Sequence, residues 1–179
     1  MRQETLTLRG MAYAAMFGAA TAIGAYLVIP LPLVPITLQT FFVSLAPALL
    51  GGTLGALSQV IYVLLGLIGL PVFAGGKAGF GVLIGPTGGY LAGFIVGAYL
   101  MGKLIELKRN PGFLWMVTAM LIGHVALYAL GVAQLMVVAK LSFAKALAVG
   151  VVPTLPGGIL KILAAAFVAL KLREKIRLP

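Results

Sequence analysis

From Gly10 to Gly76, 67 consecutive residues carry no charged side chain. A domain folded in water cannot clothe its surface that way. A hydrocarbon core about 30 Å thick, by contrast, requires roughly 20 apolar residues per crossing helix, so the run reads as several passes through a bilayer. The rest of the chain agrees, since 62% of its 179 residues are apolar and only 9% are charged. The apolar stretch after Arg9 is longer than the roughly 7–15 residues of a signal-peptide core, and more spans follow it. It is read as a retained first helix.

The formal net charge of +10 raises the question of nucleic acid, because basic proteins attract polyanions. The placement of the bases answers it. They cluster at the two ends (Arg2, Arg9, Lys171, Arg173, Lys175, Arg177) and in one short loop (Lys103, Lys108, Arg109), each time beside an apolar span. Such a pattern is the positive-inside signature of a membrane protein. With both termini cytoplasmic, nine of the thirteen bases lie inside and three (Lys77, Lys140, Lys145) outside, while Lys161 falls within a span. An even number of crossings follows.

Several chemistries are excluded by what the chain lacks. There is no cysteine, hence no disulfide, thiolate nucleophile or cysteine metal site. There is no aspartate, and Glu4, Glu106 and Glu174 lie at the cytoplasmic margins, so neither a catalytic carboxylate pair nor a proton relay inside the membrane can be assembled. His124, the single histidine, lacks companions for a metal and is expected in the core. The string GGKAG, Gly75 to Gly79, fails as a phosphate-binding loop because Ala78 follows the lysine and Pro71 replaces the first glycine. No enzyme and no cofactor is expected, and any active uptake requires a partner that burns ATP.

Turn residues divide the chain. A first helix is expected from Leu8 to Ile29, ending at PLPLVP (Pro30 to Pro35), where three prolines remove backbone donors. A second runs from Thr37 to Leu50, and a third from Thr53 to Leu70, stopped by Pro71. Val72 to Gly85 is too rich in glycine for a lipid-facing helix and must fold against protein or line a wet cavity. A fourth helix starts at Pro86 and ends near Lys103, a fifth fills most of Asn110 to Ala139, and the last spans Ile159 to Leu172 after the breaks at Pro153 and Pro156. The expected fold is all-α: one polytopic domain over residues 1–179 with six transmembrane helices, its broken segments gathered on the outer side.

Those broken segments are the candidate site, because interrupted helices expose backbone groups and helix N-termini to solutes. In GPTGGYLAGF, Gly85 to Phe94, glycines Gly88 and Gly89 would let backbone approach a ligand, with Thr87 and Tyr90 supplying hydrogen bonds near free amides that favour an anion. Lys161 follows PGG within an apolar helix, and an ammonium at that depth is costly unless hydrated, paired or functional; snorkelling to headgroups is the alternative. Thr37 and Gln39 either donate to a ligand or cap the second helix. Tyr90 and Phe73 either stack on a ring or sit in the aromatic belt. Ser58 and Gln59, mid-span, are read as interhelical hydrogen-bonding residues. Ala15 and Ala19 form an AxxxA pair suited to close helix contact, within this chain or with another.

In order and spacing, VPITLQTFFV (Val34 to Val43), LGALSQVIYVLLGLIGLPVFAGG (Leu54 to Gly76), GPTGGYLAGF and PGGILK (Pro156 to Lys161) resemble the BioY family, the biotin-binding S components of energy-coupling factor transporters. The resemblance covers almost the whole chain. It implies a subunit of a prokaryotic cell membrane that captures biotin outside and associates with a transmembrane coupling subunit and two cytoplasmic ATPases. It also implies that Gly75, Gly76 and Gly158 belong to the binding region, and that Ala15 and Ala19 match the motif docking on the coupling subunit. One departure stands out: where the family carries PGD, this chain has Gly158 in place of an aspartate suited to accept from the ureido N–H groups of biotin. Ala78 likewise replaces a common glycine. Lipoate, with a ring and a carboxylate but no ureido group, is the rival ligand, and a passive facilitator without an ATPase is the rival function.

Overall fold

The computed structural model describes the backbone of residues 7–175 and the side chains of 7–173. Arg2, Glu4 and Arg177 of the cytoplasmic charge pattern lie outside the described residues, as do the side chains of Glu174 and Lys175.

Helix α1 (Leu8–Tyr26) opens on Thr7, whose hydroxyl oxygen accepts from the Gly10 amide at 3.1 Å. It stops short of the expected Ile29 because Val28–Ile29 form a strand, β1, paired antiparallel with β2 (Ile36–Thr37). The three prolines therefore occupy the tip of a small hairpin, pinned at its base by the pairs Val28↔Thr37 and Ile29↔Ile36. The Leu38 amide donates to the carbonyls of Gly24 and Leu27, both at 3.1 Å, fixing the hairpin to the end of α1.

Helices α2 (Gln39–Leu50) and α3 (Gly52–Leu67) meet at Gly51, whose φ of 87° makes the reversal. The glycine-rich segment that follows is not wholly irregular. It contains a tight turn, with the Phe73 amide donating to the Lys77 carbonyl at 2.9 Å, and a short helix α4 (Phe80–Ile84). Helix α5 runs Gly88–Glu106, two residues later than Pro86, and α6 runs Phe113–Ala139. Its 27 residues make α6 about 40 Å long. An unanticipated short helix α7 (Phe143–Gly150) and a 3-10 turn (Val152–Thr154) lead into α8 (Leu155–Lys175). Helix α8 begins four residues before the expected Ile159: Pro156 sits in its first turn, where a missing amide donor costs nothing.

Among the described residues, three stretches are long and apolar enough to cross a membrane, Gly88–Glu106, Phe113–Ala139 and Phe143–Arg173, while α2 and α3 are shorter apolar helices. The tightest helix contact is between α5 and α6. A Cβ on Gly89 would lie 2.3 Å from the Leu130 carbonyl oxygen, and one on Gly93 2.7 Å from that of Leu127, so only glycine permits this approach. Helices α1 and α3 are joined by polar bonds as well. The Gln59 amide nitrogen donates to Thr21 Oγ1 of α1 at 3.3 Å, in keeping with its interhelical reading, whereas Ser58 bonds within α3, accepting from Gln59 at 2.9 Å and donating to the Gly55 carbonyl at 2.6 Å.

Candidate ligand-binding site

The hairpin tip, the Phe73 turn and the start of α8 lie far apart in sequence, yet each helix reversal returns them to the same end of the bundle. There they border one cavity with Thr87 at the entry to α5, Tyr90, Leu91 and Phe94 of α5, Leu127 and Tyr128 of α6, and Gly150 at the end of α7. The cavity has a volume of about 80 Å³. Its apolar wall is Val34, Ile36, Phe73, Leu91, Phe94 and Leu127.

A continuous polar chain ties the broken segments together. Lys161 Nζ, on a half-buried side chain of α8, donates to the Thr37 carbonyl at 2.7 Å. Thr37 Oγ1 donates to Gln39 Oε1 at 2.8 Å, Gln39 Nε2 donates to the Tyr62 hydroxyl, and that hydroxyl donates to the Val72 carbonyl at 3.2 Å. The proline hairpin, α3, the Phe73 segment and α8 are thus mechanically connected through five residues. Gln39 is 4% exposed and lines the cavity, so it serves this chain of bonds while facing any occupant; it also closes the α2 entry through the bond from its amide to Thr37 Oγ1 at 3.3 Å.

On the far wall, the Tyr90 ring lies against Gly131 of α6 and its hydroxyl donates to the Gly150 carbonyl at 3.1 Å. Tyr128 and Thr154 share a hydroxyl–hydroxyl bond of 2.9 Å. Since Thr154 Oγ1 donates to the Val151 carbonyl at 2.8 Å, Tyr128 is the donor in that pair, which leaves its oxygen free to accept. The Thr40 hydroxyl is buried beside the cavity without a partner in the protein. Among the described residues no carboxylate lines the cavity, and the charged groups there are Lys77 and Lys161.

Of the residues singled out from sequence, Lys161, Thr87, Tyr90, Gln39, Phe73 and Thr37 line the cavity together. Gly88, Gly89, Gly75, Gly76 and Gly158 are not in its lining. Gly88 and Gly89 answer instead to helix packing, since a Cβ on Gly88 would overlap the Leu83 carbonyl and one on Gly89 that of Leu130. Gly75 and Gly76, both at φ 73°, form the turn that carries Lys77. Gly158 is buried next to the site, and a Cβ there would stand 3.4 Å from the Tyr128 hydroxyl. Phe73 is 1% exposed, edge-on to Tyr62 with ring centres 5.7 Å apart, and is no belt residue.

His124 is 4% exposed, hydrogen-bonded through Nδ1 to the Met120 carbonyl at 3.0 Å, and sits in α6 outside the cavity lining. Ala15 and Ala19 are exposed on α1, while Ala14, Gly18 and Ala22 face the interior. The pair therefore lies off the buried face of α1. Sequence reasoning missed Tyr128, Thr154 and Thr40, which carry no local motif. It also missed Gln134, whose amide nitrogen donates to the carbonyls of Leu83 and Gly85 at 2.7 Å each and so holds the entry to α5.

Known proteins resemble this arrangement closely. The model of the BioY family matches residues 1–178. The biotin transporter BioY of Thermotoga maritima is 44% identical over 167 residues, covering 93% of this chain and 97% of its own length. The biotin transporter BioY of Rhizobium etli is 38% identical over 172 residues, covering 90% and 91%. The crystal structure of the S-component for biotin from an ECF-type ABC transporter superposes with a TM-score of 0.86 at 26% identity, covering 96% of both chains. The protein is accordingly a multi-pass, mostly helical membrane protein with the S-component fold. A match along nearly the entire sequence, joined to relatives this similar, shows that the chain belongs to the BioY family.

Proposed function

We propose that this chain is the substrate-capture subunit of a vitamin uptake transporter and that its ligand is biotin, held in the cavity between the proline hairpin, the Phe73 turn and the start of α8. The observation that carries the reading is Lys161: its ammonium donates into the polar chain that joins these segments, in a cavity lined by no carboxylate among the described residues. A cationic, partly apolar chamber suits a small organic anion, because the ligand itself supplies the missing negative charge. Biotin offers a bicyclic ring for the Phe73, Phe94 and Leu127 wall, N–H groups for the free lone pairs of Tyr128 and Thr40, and a carboxylate for the lysines.

The same reading places six passes in the membrane, α1, α2, α3, α5, α6 and α8, as one binding domain over residues 1–179 with both termini cytoplasmic and the cavity open to the outside. Its support is the charge distribution and the gathering of the broken segments at one end. Capture closes the proline hairpin over the ligand, pivoting on the β1–β2 pairs. Release is driven by a coupling subunit, docked through the α1 face bearing Ala15 and Ala19, and by two ATPases.

Lipoate is the second reading, because Gly158 contributes no carboxylate to accept from a ureido group. Calorimetric competition of biotin, dethiobiotin and lipoate on the purified chain separates them. Biotin and dethiobiotin, which share the ureido group, are expected to bind tightly and displace lipoate. Preference for lipoate over both would overturn the assignment to biotin, and heat from none of the three would leave a membrane subunit without a vitamin site.

A further inference from the structure

The two cationic side chains of the cavity are not equivalent. Lys161 is already engaged, donating to the Thr37 carbonyl at 2.7 Å. Lys77 lines the same cavity from an exposed position on the Phe73 turn, and no described residue accepts a hydrogen bond or ion pair from its ammonium. The backbone that carries it is held firmly. Phe73 is packed at 1% exposure, its amide donates to the Lys77 carbonyl at 2.9 Å, and the Gly79 amide donates to the Gly66 carbonyl at 2.7 Å. Between those anchors, Gly75 and Gly76 at φ 73° reverse the chain and return Lys77 over the mouth.

A turn held at both ends that carries an exposed ammonium on the cavity lining, with no acceptor among the described residues, is a device for reading the outer end of a ligand. We infer that Lys77 binds the carboxylate of the captured molecule and so selects acids over their neutral derivatives, while Lys161 serves the buried part of the ligand and the hairpin. This inference rests on the capture reading above. It assigns the ligand's direction, ring inward and carboxylate outward at the Phe73 turn. An ammonium facing water has compact, mobile donors, so arginine is a workable substitute for charge and glutamine for length without charge.

The test measures affinities of the purified full-length chain for biotin and for biotin methyl ester, in wild type, Lys77→Gln and Lys77→Arg. Wild type is expected to prefer the acid by about tenfold, the energy of one charge-assisted hydrogen bond. Lys77→Gln should abolish that preference by weakening the acid alone, Lys77→Arg should retain most of it, and added salt should erode it in wild type. If wild type binds biotin and Lys77→Gln keeps the full preference, or loses acid and ester equally, the inference fails and the capture reading stands. If wild type binds neither compound, both fail together.

Discussion

Gly158 stands where the family resemblance implies an aspartate, and its surroundings show what an acidic group there would meet. With no side chain at position 158, the neighbouring Tyr128–Thr154 hydroxyl pair is the polar surface of the cavity nearest to it. A Cβ at position 158 would meet the Tyr128 hydroxyl at 3.4 Å and no backbone atom of another element within 4 Å, so the backbone there admits a side chain. A hydrogen bond to a charged acceptor contributes about 1.5–3 kcal/mol, hence Gly158→Asp is expected to tighten biotin by roughly 10-fold to 150-fold in equilibrium binding and to leave lipoate unimproved. Unchanged biotin affinity would mean that the ring's N–H groups lie away from α8. Gly88 and Gly89 teach a different lesson at the same scale. A glycine that admits a ligand and one that admits a neighbouring helix look identical in sequence, and only the carbonyls of Leu83 and Leu130 tell them apart.

Among the elements, the long helices were legible because an apolar run of membrane length bounded by proline, glycine or charge permits little else. The site was legible in part: the interruptions at Pro30 to Pro35, Val72 to Gly85 and Pro153 to Gly158 do surround one cavity. Two-residue strands such as Val28–Ile29 are too short for any alternation to reveal them. The early start of α8 was hidden because Pro156-Gly157-Gly158 reads as a breaker, although proline is at home in a first turn. Tyr128 and Thr154 are 26 positions apart, and their meeting depends on how α6 faces the 3-10 turn, which no local pattern encodes. Helix α1 shows the remaining kind of information, a face left over. Ala15 and Ala19 are exposed and distant from the cavity lining, so Ala15→Trp with Ala19→Trp should leave biotin affinity within about twofold while ATP-driven uptake by the assembled transporter collapses. Full uptake by that variant would remove α1 from the coupling interface.

As a whole the molecule is a chamber assembled from ends of helices, in which the Lys161 ammonium joins the proline hairpin to the bundle. Lys161 links Thr37 on the hairpin to α8, and through Gln39 and Tyr62 the connection extends to the Phe73 segment. In the proposed capture, occupancy of the chamber and closure of the hairpin are coupled through this one network of bonds. The measurement that addresses this most directly is the biotin affinity of Lys161→Ala, accompanied by Lys161→Met to preserve the packing of the aliphatic stem. Loss of at least about tenfold in both variants, with folding intact, is predicted, since each removes a charge-assisted donor from the cavity. Wild-type affinity in both would contradict the claim that this ammonium organises the site.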